Sequence, residues 1–311
     1  MHQVAVIALD GVDPLGVAIP CYMFSHVRSA AGEPAYNVTV CGEAQEIQSA
    51  YFVIRTHATL AQVAHADTVL LPGIDDITFP ISQPVIEVVQ AAARRGARIA
   101  SICSGAFVLA AAGLLDGLRA TTHWAAAAEL AQRYPAIDVD PRALFVDSGQ
   151  IITSAGSTAG IDMCLDLIRQ DFGQAVAANA ARFAVTALHR EGGQALFAPC
   201  ERPHSTTALA PLLDWIAANA NQPLTLQDIA KQAGTSIRTL NRRFKEQTGV
   251  TPTQWLLSQR TRHAQSLLEV TDLSIEAVAT ASGFNSAARL RERFREDFGS
   301  TPQHYRRSFA G

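Results

Sequence analysis

Leu224-Thr-Leu-Gln-Asp-Ile229-Ala230, followed by Gly234, Leu240, Arg242, Phe244, Gly249 and Pro252, is matched further on by Leu273-Ser-Ile-Glu-Ala-Val278-Ala279, followed by Gly283, Leu290, Arg293, Phe294, Gly299 and Pro302. Arg242 and Arg293 apart, the offset is 49 residues up to the glycine and 50 after it, so one residue has been added between Gly283 and Leu290. A repeat of this length is one supersecondary unit used twice. It organises the stretch from Pro223 to Tyr305.

Each copy reads as a short amphipathic helix, a glycine turn and a second helix. Ile229 and Ala230 give the first helix an apolar edge, Gly234 suits a left-handed turn, and Leu240 with Phe244 at i, i+4 anchors the second helix. That is a helix-turn-helix pattern. With Leu240 and Phe244 inward, Arg238, Asn241, Arg242 and Lys245 point outward, and these side chains suit guanine edges, adenine edges and phosphates. In the second copy Leu290, Phe294 and Phe298 form the inward stripe, with Arg291 and Arg295 on the far side and Glu292 expected to repel phosphate. A solvated basic helix face is the alternative for either copy alone; two copies at fixed spacing favour double-stranded DNA as partner. A helix over roughly 253–269 would hold the two outer helices about 34 Å apart, for successive major-groove segments.

The motifs Ser236-Ile-Arg238-Thr-Leu240-Asn-Arg242-Arg-Phe244, Gly249-Val-Thr-Pro252, Ala264-Gln-Ser-Leu-Leu268, Gly283-Phe284 and Gly299-Ser-Thr-Pro302-Gln-His-Tyr305-Arg306 resemble the DNA-binding domain of the AraC/XylS transcription regulators. The resemblance implies promoter DNA and RNA polymerase as partners and an activating role. Two positions depart from the family: Thr261, where an apolar residue is usual, and Ala287-Ala288, where a polar base-reading residue is frequent. The first copy is therefore expected to carry most of the base reading.

A chain of 311 residues with 48% hydrophobic content can build two cored domains. From Leu212 to Gly311 there are 13 Lys+Arg against 9 Asp+Glu, and in the remainder 12 against 19, so positive charge collects where DNA binding is inferred. The five cysteines, Cys21, Cys41, Cys103, Cys164 and Cys200, lack C-x-x-C spacing. This argues against a disulfide framework and against zinc, and suits a reducing cytosol; no metal and no cofactor are expected. Val4 to Leu9 enters a strand pattern at once, so no secretory signal is expected. The longest uncharged run, Ile99–Leu115, has 17 residues and is broken by Ser101, Ser104, Gly105 and Gly113, so no membrane span is expected and a cytoplasmic location follows.

Residues 1–190 alternate apolar runs at 4–9, 36–41, 68–71, 98–102, 143–146 and 151–154 with helical stretches near 14–30, 83–95, 104–114, 123–133 and 156–171. Such alternation predicts an α/β fold, a largely parallel flavodoxin-like sheet sandwiched by helices, followed by an all-α domain with two helix-turn-helix units. Ligands in such sheets bind outside the carboxyl ends of the strands. Three strand ends stand out: Leu9-Asp10-Gly11-Val12-Asp13, Leu70-Leu71-Pro72-Gly73 and Ile102-Cys103-Ser104-Gly105. The last has the strand-turn-helix form of a nucleophile elbow, which would place the thiol at a helix N-terminus and favour its thiolate. His123, in Thr121-Thr-His123-Trp124, either lines the same pocket or is a hydrogen-bonded structural histidine, and Trp124 either covers a ligand or packs. Asp13, Gly73, Cys103, Ser104, His123 and Trp124 are the candidate ligand-binding residues. A pocket combining Trp124 with Asp13 would suit a quaternary amine or an amino acid.

This half resembles the ThiJ/PfpI branch of the class I glutamine amidotransferase-like superfamily, through Asp10-Gly11, Leu71-Pro72-Gly73, Cys103-Ser-Gly105, Leu114-Leu-Asp-Gly117, Thr121-Thr-His123-Trp124 and Thr153-Ser-Ala-Gly156-Ser-Thr-Ala-Gly-Ile-Asp162. Joined to an AraC-type domain it has the architecture of the GlxA-like regulators, which implies small-molecule sensing and homodimerisation. Catalytic superfamily members carry an acid where Pro14 stands, and amidotransferases an acid shortly after their histidine, so no catalytic residue is assigned. A Cys103-dependent hydrolase or amidase, with Gly73 in an oxyanion hole, and a thiol redox sensor remain as alternatives. The expected domains are 1–190, a proline-bounded linker at 191–207, and 208–311.

Overall fold

A computed structural model describes residues 1–29, 32–56, 58–156, 158–188, 193, 209–248 and 250–309. The chain divides into two compact units, Met1–Ala195 and Leu196–Gly311. The linker expected at 191–207 lies outside the described residues apart from Gly193, as do Gly249 and Cys200.

In the first unit the strands are β1 (His2–Ala8), β2 (Tyr36–Gly42), a hairpin of β3 (Glu46–Gln48) and β4 (Val53–Arg55), β5 (Ala58–Thr59), β6 (Thr68–Leu71), β7 (Arg98–Ile102), a short parallel pair of β8 (Arg119–Ala120) and β9 (Asp138–Val139), β10 (Phe145–Asp147) and β11 (Ile151–Ser154). Seven of them form one sheet in the order β10-β11-β7-β6-β1-β2-β5, parallel except for β10. From β1 the chain builds outward to β2 and β5, then returns to add β6, β7 and β11 on the other side. The order reverses at β1 and β6, and that switch point opens a crevice at the strand ends.

Alternate residues of each strand enter opposite cores, as the two-residue period of a strand requires. Val4, Val6, Ala8, Ala100, Ile102 and Ile152 belong to one cluster, with α1 (Pro14–Ser25), α5 (Ala159–Phe172) and α6 (Gln174–Phe183). Ala5, Ile7, Val69, Leu71, Ile99 and Ile151 belong to the other, with α2 (Gln83–Arg94), α3 (Ala106–Ala111) and α4 (Ala127–Arg133). Burial on both faces explains why these strands read as unbroken apolar runs. At the amino ends of the strands, Arg98 pairs with Asp171 at 2.6 Å and the Tyr36 hydroxyl donates to the same carboxylate at 2.7 Å. This clamp closes the end of the sheet away from the crevice.

Several elements are shorter than their sequence patterns suggest. The first helix ends at Ser25 rather than near 30, and the stretch after β11 starts its helix at Ala159. The final helix expected over 175–190 is α6, which stops at Phe183. The β3–β4 hairpin and the β8–β9 pair are too short to leave a period in the sequence.

The second unit is helical among its described residues: α7 (Ala210–Ala218), α8 (Leu226–Gln232), α9 (Ile237–Thr248), α10 (Pro252–Val270), α11 (Ile275–Ala281), α12 (Ala287–Phe298) and α13 (Pro302–Phe309). Thr225 and Asp228 close a capping box on α8, Thr251 and Gln254 another on α10, and Ser274 and Ser286 cap α11 and α12. Gly234 and Gly283 sit at φ 61° and 86°, the left-handed turns inferred from the repeat. Thr261, the polar residue at a usually apolar position, is 1% exposed, and its hydroxyl donates to the Leu257 carbonyl at 2.9 Å. That bond satisfies it without a partner outside its own helix.

Candidate functional site

Cys103 leaves β7 at φ 57°, a left-handed conformation uncommon for a residue with a side chain. Its N–H donates to the Ala155 carbonyl at 2.8 Å, and the Thr122 hydroxyl donates to its carbonyl at 2.8 Å, so both sides of the peptide are held. Two glycines let the turn seat against the end of β6. A Cβ on Gly105 would stand 2.2 Å from the Leu71 carbonyl oxygen, and one on Gly73 would stand 3.1 Å from the Cys103 Cβ. Ser104 is buried, and its hydroxyl accepts from the Ile74 N–H at 2.8 Å and donates to the Ile74 carbonyl at 2.7 Å. It ties the elbow to the strand end beside it.

The thiol differs from its expected state. Burial pushes the Cys103 thiol above its ordinary value, and the charges of Asp13 and Asp75 add to this against hydrogen bonds from Ser104. The helix-end field expected to favour the thiolate is weak here, because Cys103–Gly105 form a 3-10 turn and α3 has only six residues. Asp13 caps α1 through a bond from the Leu15 N–H at 3.1 Å, and its own N–H donates to the Gly73 carbonyl at 2.8 Å. The fold thus brings Asp13, Gly73, Cys103 and Ser104 together.

His123 approaches from the opposite side of the elbow. Its ring lies against Gly156, where an added Cβ would meet the imidazole Cδ2 at 3.0 Å, next to the Ala155 carbonyl that holds the Cys103 N–H. Its Nδ1 accepts from the Ala125 N–H at 3.3 Å, and burial lowers its pKa, which keeps the ring neutral. Among the described residues no hydrogen bond joins it to the Cys103 sulfur. Trp124 is half-buried, with its ring centroid 5.0 Å from that of His123.

A cavity of about 350 Å³ lies on the other side of Ile74, where the ends of β1, β2 and β6 meet. Its lining includes Leu9, Asp10, Glu43, Ile47, Asp75 and Phe79, and none of the six ligand-binding candidates inferred from sequence. Sequence reading noted Asp10 and missed Glu43, Asp75 and Asp76. Their signal was position alone, since each follows directly on a strand end or lies within a few residues of one. Thr122, which clamps the Cys103 carbonyl, was also missed, although it stands inside the quoted Thr121-Thr-His123 motif.

In the second unit Leu240 and Phe244 are buried under α9 while Arg238, Arg242 and Lys245 are exposed and Asn241 half-buried. Arg242 pairs with Glu246 at 3.0 Å. On α12 Leu290, Phe294 and Phe298 are buried. Arg291 reaches Glu276 on α11 at 3.0 Å, and Arg289 pairs with Glu292 at 2.6 Å. Glu292, expected only to repel phosphate, is thus neutralised by its neighbour. Among the described residues no ion pair forms to Arg238, Lys245 or Arg295.

Two families match these two units. The DJ-1/PfpI family matches residues 2–170, which is more than half of the chain, and a helix-turn-helix domain family matches residues 229–308. The chain belongs to the DJ-1/PfpI family. It joins that fold to an AraC-type helix-turn-helix domain, the combination its motifs imply. The HTH-type transcriptional regulator GbdR of Pseudomonas aeruginosa is 30% identical over 77% of this chain and 66% of its own length. The HTH-type transcriptional regulator GlxA of Rhizobium meliloti is 36% identical over 69% of this chain and 66% of its own length. The chain thus spans just under two thirds of these curated relatives. A crystal structure of an AraC family transcriptional regulator from Pseudomonas putida, 17% identical, superposes with a TM-score of 0.53 over 59% of this chain and all of that one, a likeness of fold. Within this DJ-1/PfpI unit the position three residues beyond Gly11 is Pro14, the first residue of α1, so no carboxylate stands there. Among the described residues no cluster of three or more His, Cys, Asp or Glu could hold a metal ion, and no helix is long and apolar enough to cross a membrane.

Proposed function

We propose that this protein is a sequence-specific transcription regulator whose helix-turn-helix unit reads promoter DNA and whose DJ-1/PfpI unit senses a small molecule. One observation carries the reading: opposite the buried Leu240–Phe244 stripe, α9 presents Arg238, Asn241 and Lys245 outward, and among the described residues no ion pair forms to Arg238 or Lys245. Such a face suits a major groove, with Arg238 and Asn241 for base edges and Lys245 for phosphate. The names of the relatives support it. In the proposed mechanism ligand shifts the population toward a homodimer geometry that sets four reading helices on two half-sites, where contact with RNA polymerase raises transcription in the cytoplasm.

The site acts by binding rather than turnover. A protonated Cys103, a His123 ring directed at Ala125 and the lack of an acid at position 14 support this. Selection of duplexes from a random library tests the proposal. The full chain should enrich a site with two similar halves, and an unchanged random pool after repeated rounds would sink it.

A further inference from the structure

The glycine turns of the two helix-turn-helix copies hold the same place in the repeat and meet different surroundings. A Cβ on Gly234 would find no heavy atom within 4 Å beyond its chain neighbours, whereas one on Gly283 would stand 2.6 Å from the Ala220 carbonyl oxygen and 2.9 Å from the Arg260 Nε. The second turn is thus seated on the loop between α7 and α8, which packs with the first copy. We propose that Arg260 is a positioning residue, whose guanidinium locks this seat and so fixes α12 relative to α9. The lock is a property of the fold; its use in spacing DNA contacts rests on the regulator reading.

The apolar cores do not supply this fixing. The cluster beneath α9 runs from Leu212 to Leu256 and, among the described residues, takes no side chain from α11, α12 or α13. Ala264 and Leu268, further along α10, are buried, as are Val278, Leu290 and Phe294 of the second copy. Between Leu257 and Ala264 every residue of α10 is polar: Ser258, Gln259, Arg260, Thr261, Arg262 and His263. The Thr261 hydroxyl bonds within its own helix, and Arg293 of α12 reaches the Ser258 hydroxyl at 3.4 Å, too long for a strong bond. Arg260 reaches across this polar seam. Its Nε donates to the Ala220 carbonyl and its Nη2 to the Gln222 carbonyl, both at 2.8 Å. Ala220 is 3% exposed and belongs to the cluster beneath α9, so one fork grips the first copy's core at the point where the Gly283 turn sits. The gripped loop is itself held: the Gln222 N–H donates to the Asn219 carbonyl at 3.0 Å, and the Leu224 N–H to the Gln222 carbonyl at 2.7 Å. Apolar contact is non-directional and lets helices slide, whereas two bonds from one planar charged group fix an angle. Lysine in its place keeps the charge and loses the fork.

Two measurements on the full chain test this. Spin labels at the exposed Gln247 of α9 and Ala288 of α12, attached through ketone side chains that spare the native cysteines, report the helix separation without DNA by pulsed double electron resonance. The wild type should give one narrow distribution, and Arg260→Lys and Arg260→Gln should each broaden it at least about twofold, with unchanged far-UV circular dichroism. On DNA, the selected site is compared with the same site carrying an extra base pair between the segments that α9 and α12 contact. The insertion should cost the wild type about tenfold or more in affinity and Arg260→Lys about two- to threefold. A duplex with the α9 segment alone should bind both proteins equally, because the first copy's fold does not depend on the lock. Unchanged widths in both variants would overturn the proposal. So would a loss on every duplex that lysine restores and glutamine does not, since that marks a phosphate contact. A broadened distribution with no selected duplex keeps the lock and sinks the regulator; an unchanged distribution with spacing-selective binding does the reverse.

Discussion

In α9 the stripe Leu240–Phe244 and in α12 the stripe Leu290–Phe294–Phe298 fill the same place in two copies of one unit, and all five side chains are buried. The outer faces differ. On α12 Arg289, Arg291 and Arg293 each pair with an acid, Glu292, Glu276 and Asp297 respectively, while on α9, among the described residues, only Arg242 does, with Glu246. A pattern of buried residues reproduces a fold, and it leaves the electrostatics of the outer face free to diverge. An arginine already paired must exchange a carboxylate for a phosphate, so its net gain on DNA is smaller than that of an unpaired one.

The core half of this comparison carries the largest effect. Phe244→Ala and Phe294→Ala should each destabilise by about 3–5 kcal/mol, because both rings are fully buried. Denaturant titration of the full chain measures it, and a difference of several kcal/mol between the two would break the equivalence of the cores. Base reading comes next. Arg238→Ala should cost about 1–3 kcal/mol on a selected site and relax preference at one base pair per half-site, whereas Lys245→Ala should weaken all duplexes and reduce the salt slope by about one. Equal loss on selected and random DNA for Arg238→Ala would remove its assigned role.

The caps give a smaller test. Thr225→Ala and Ser274→Ala should each cost about 1 kcal/mol, the former more because Asp228 completes a capping box there. The smallest effect sharpens the charge half: Glu292→Gln should release Arg289 and raise affinity for random duplex about twofold, with a steeper salt dependence. Unchanged affinity would mean that Arg289 already lies too far from phosphate to matter.

The repeat was legible in sequence because it depends on local geometry: a glycine that must turn, apolar residues at helical spacing and caps three residues apart. The parallel sheet was legible for the same reason, since strands buried on both faces read as apolar runs. The Cys103 elbow was found through its strand-turn-helix pattern, and its Gly105 proved to be required by the close approach to the Leu71 carbonyl. The state of its thiol was not legible. Burial and the carboxylates of Asp13 and Asp75 decide it, and burial and distance across strands have no spacing in the chain.

By itself, then, the amino-acid order determined two units, the doubled helix-turn-helix and the place of the elbow, because each follows from interactions between residues close in sequence. Tertiary structure decided which charges meet. It paired Arg291 with Glu276 across two helices, held the Cys103 thiol protonated, and gathered Asp10, Glu43, Asp75 and Asp76 around one cavity from three separate strand ends. Coulomb interactions act through space and burial, and only the folded chain sets those distances.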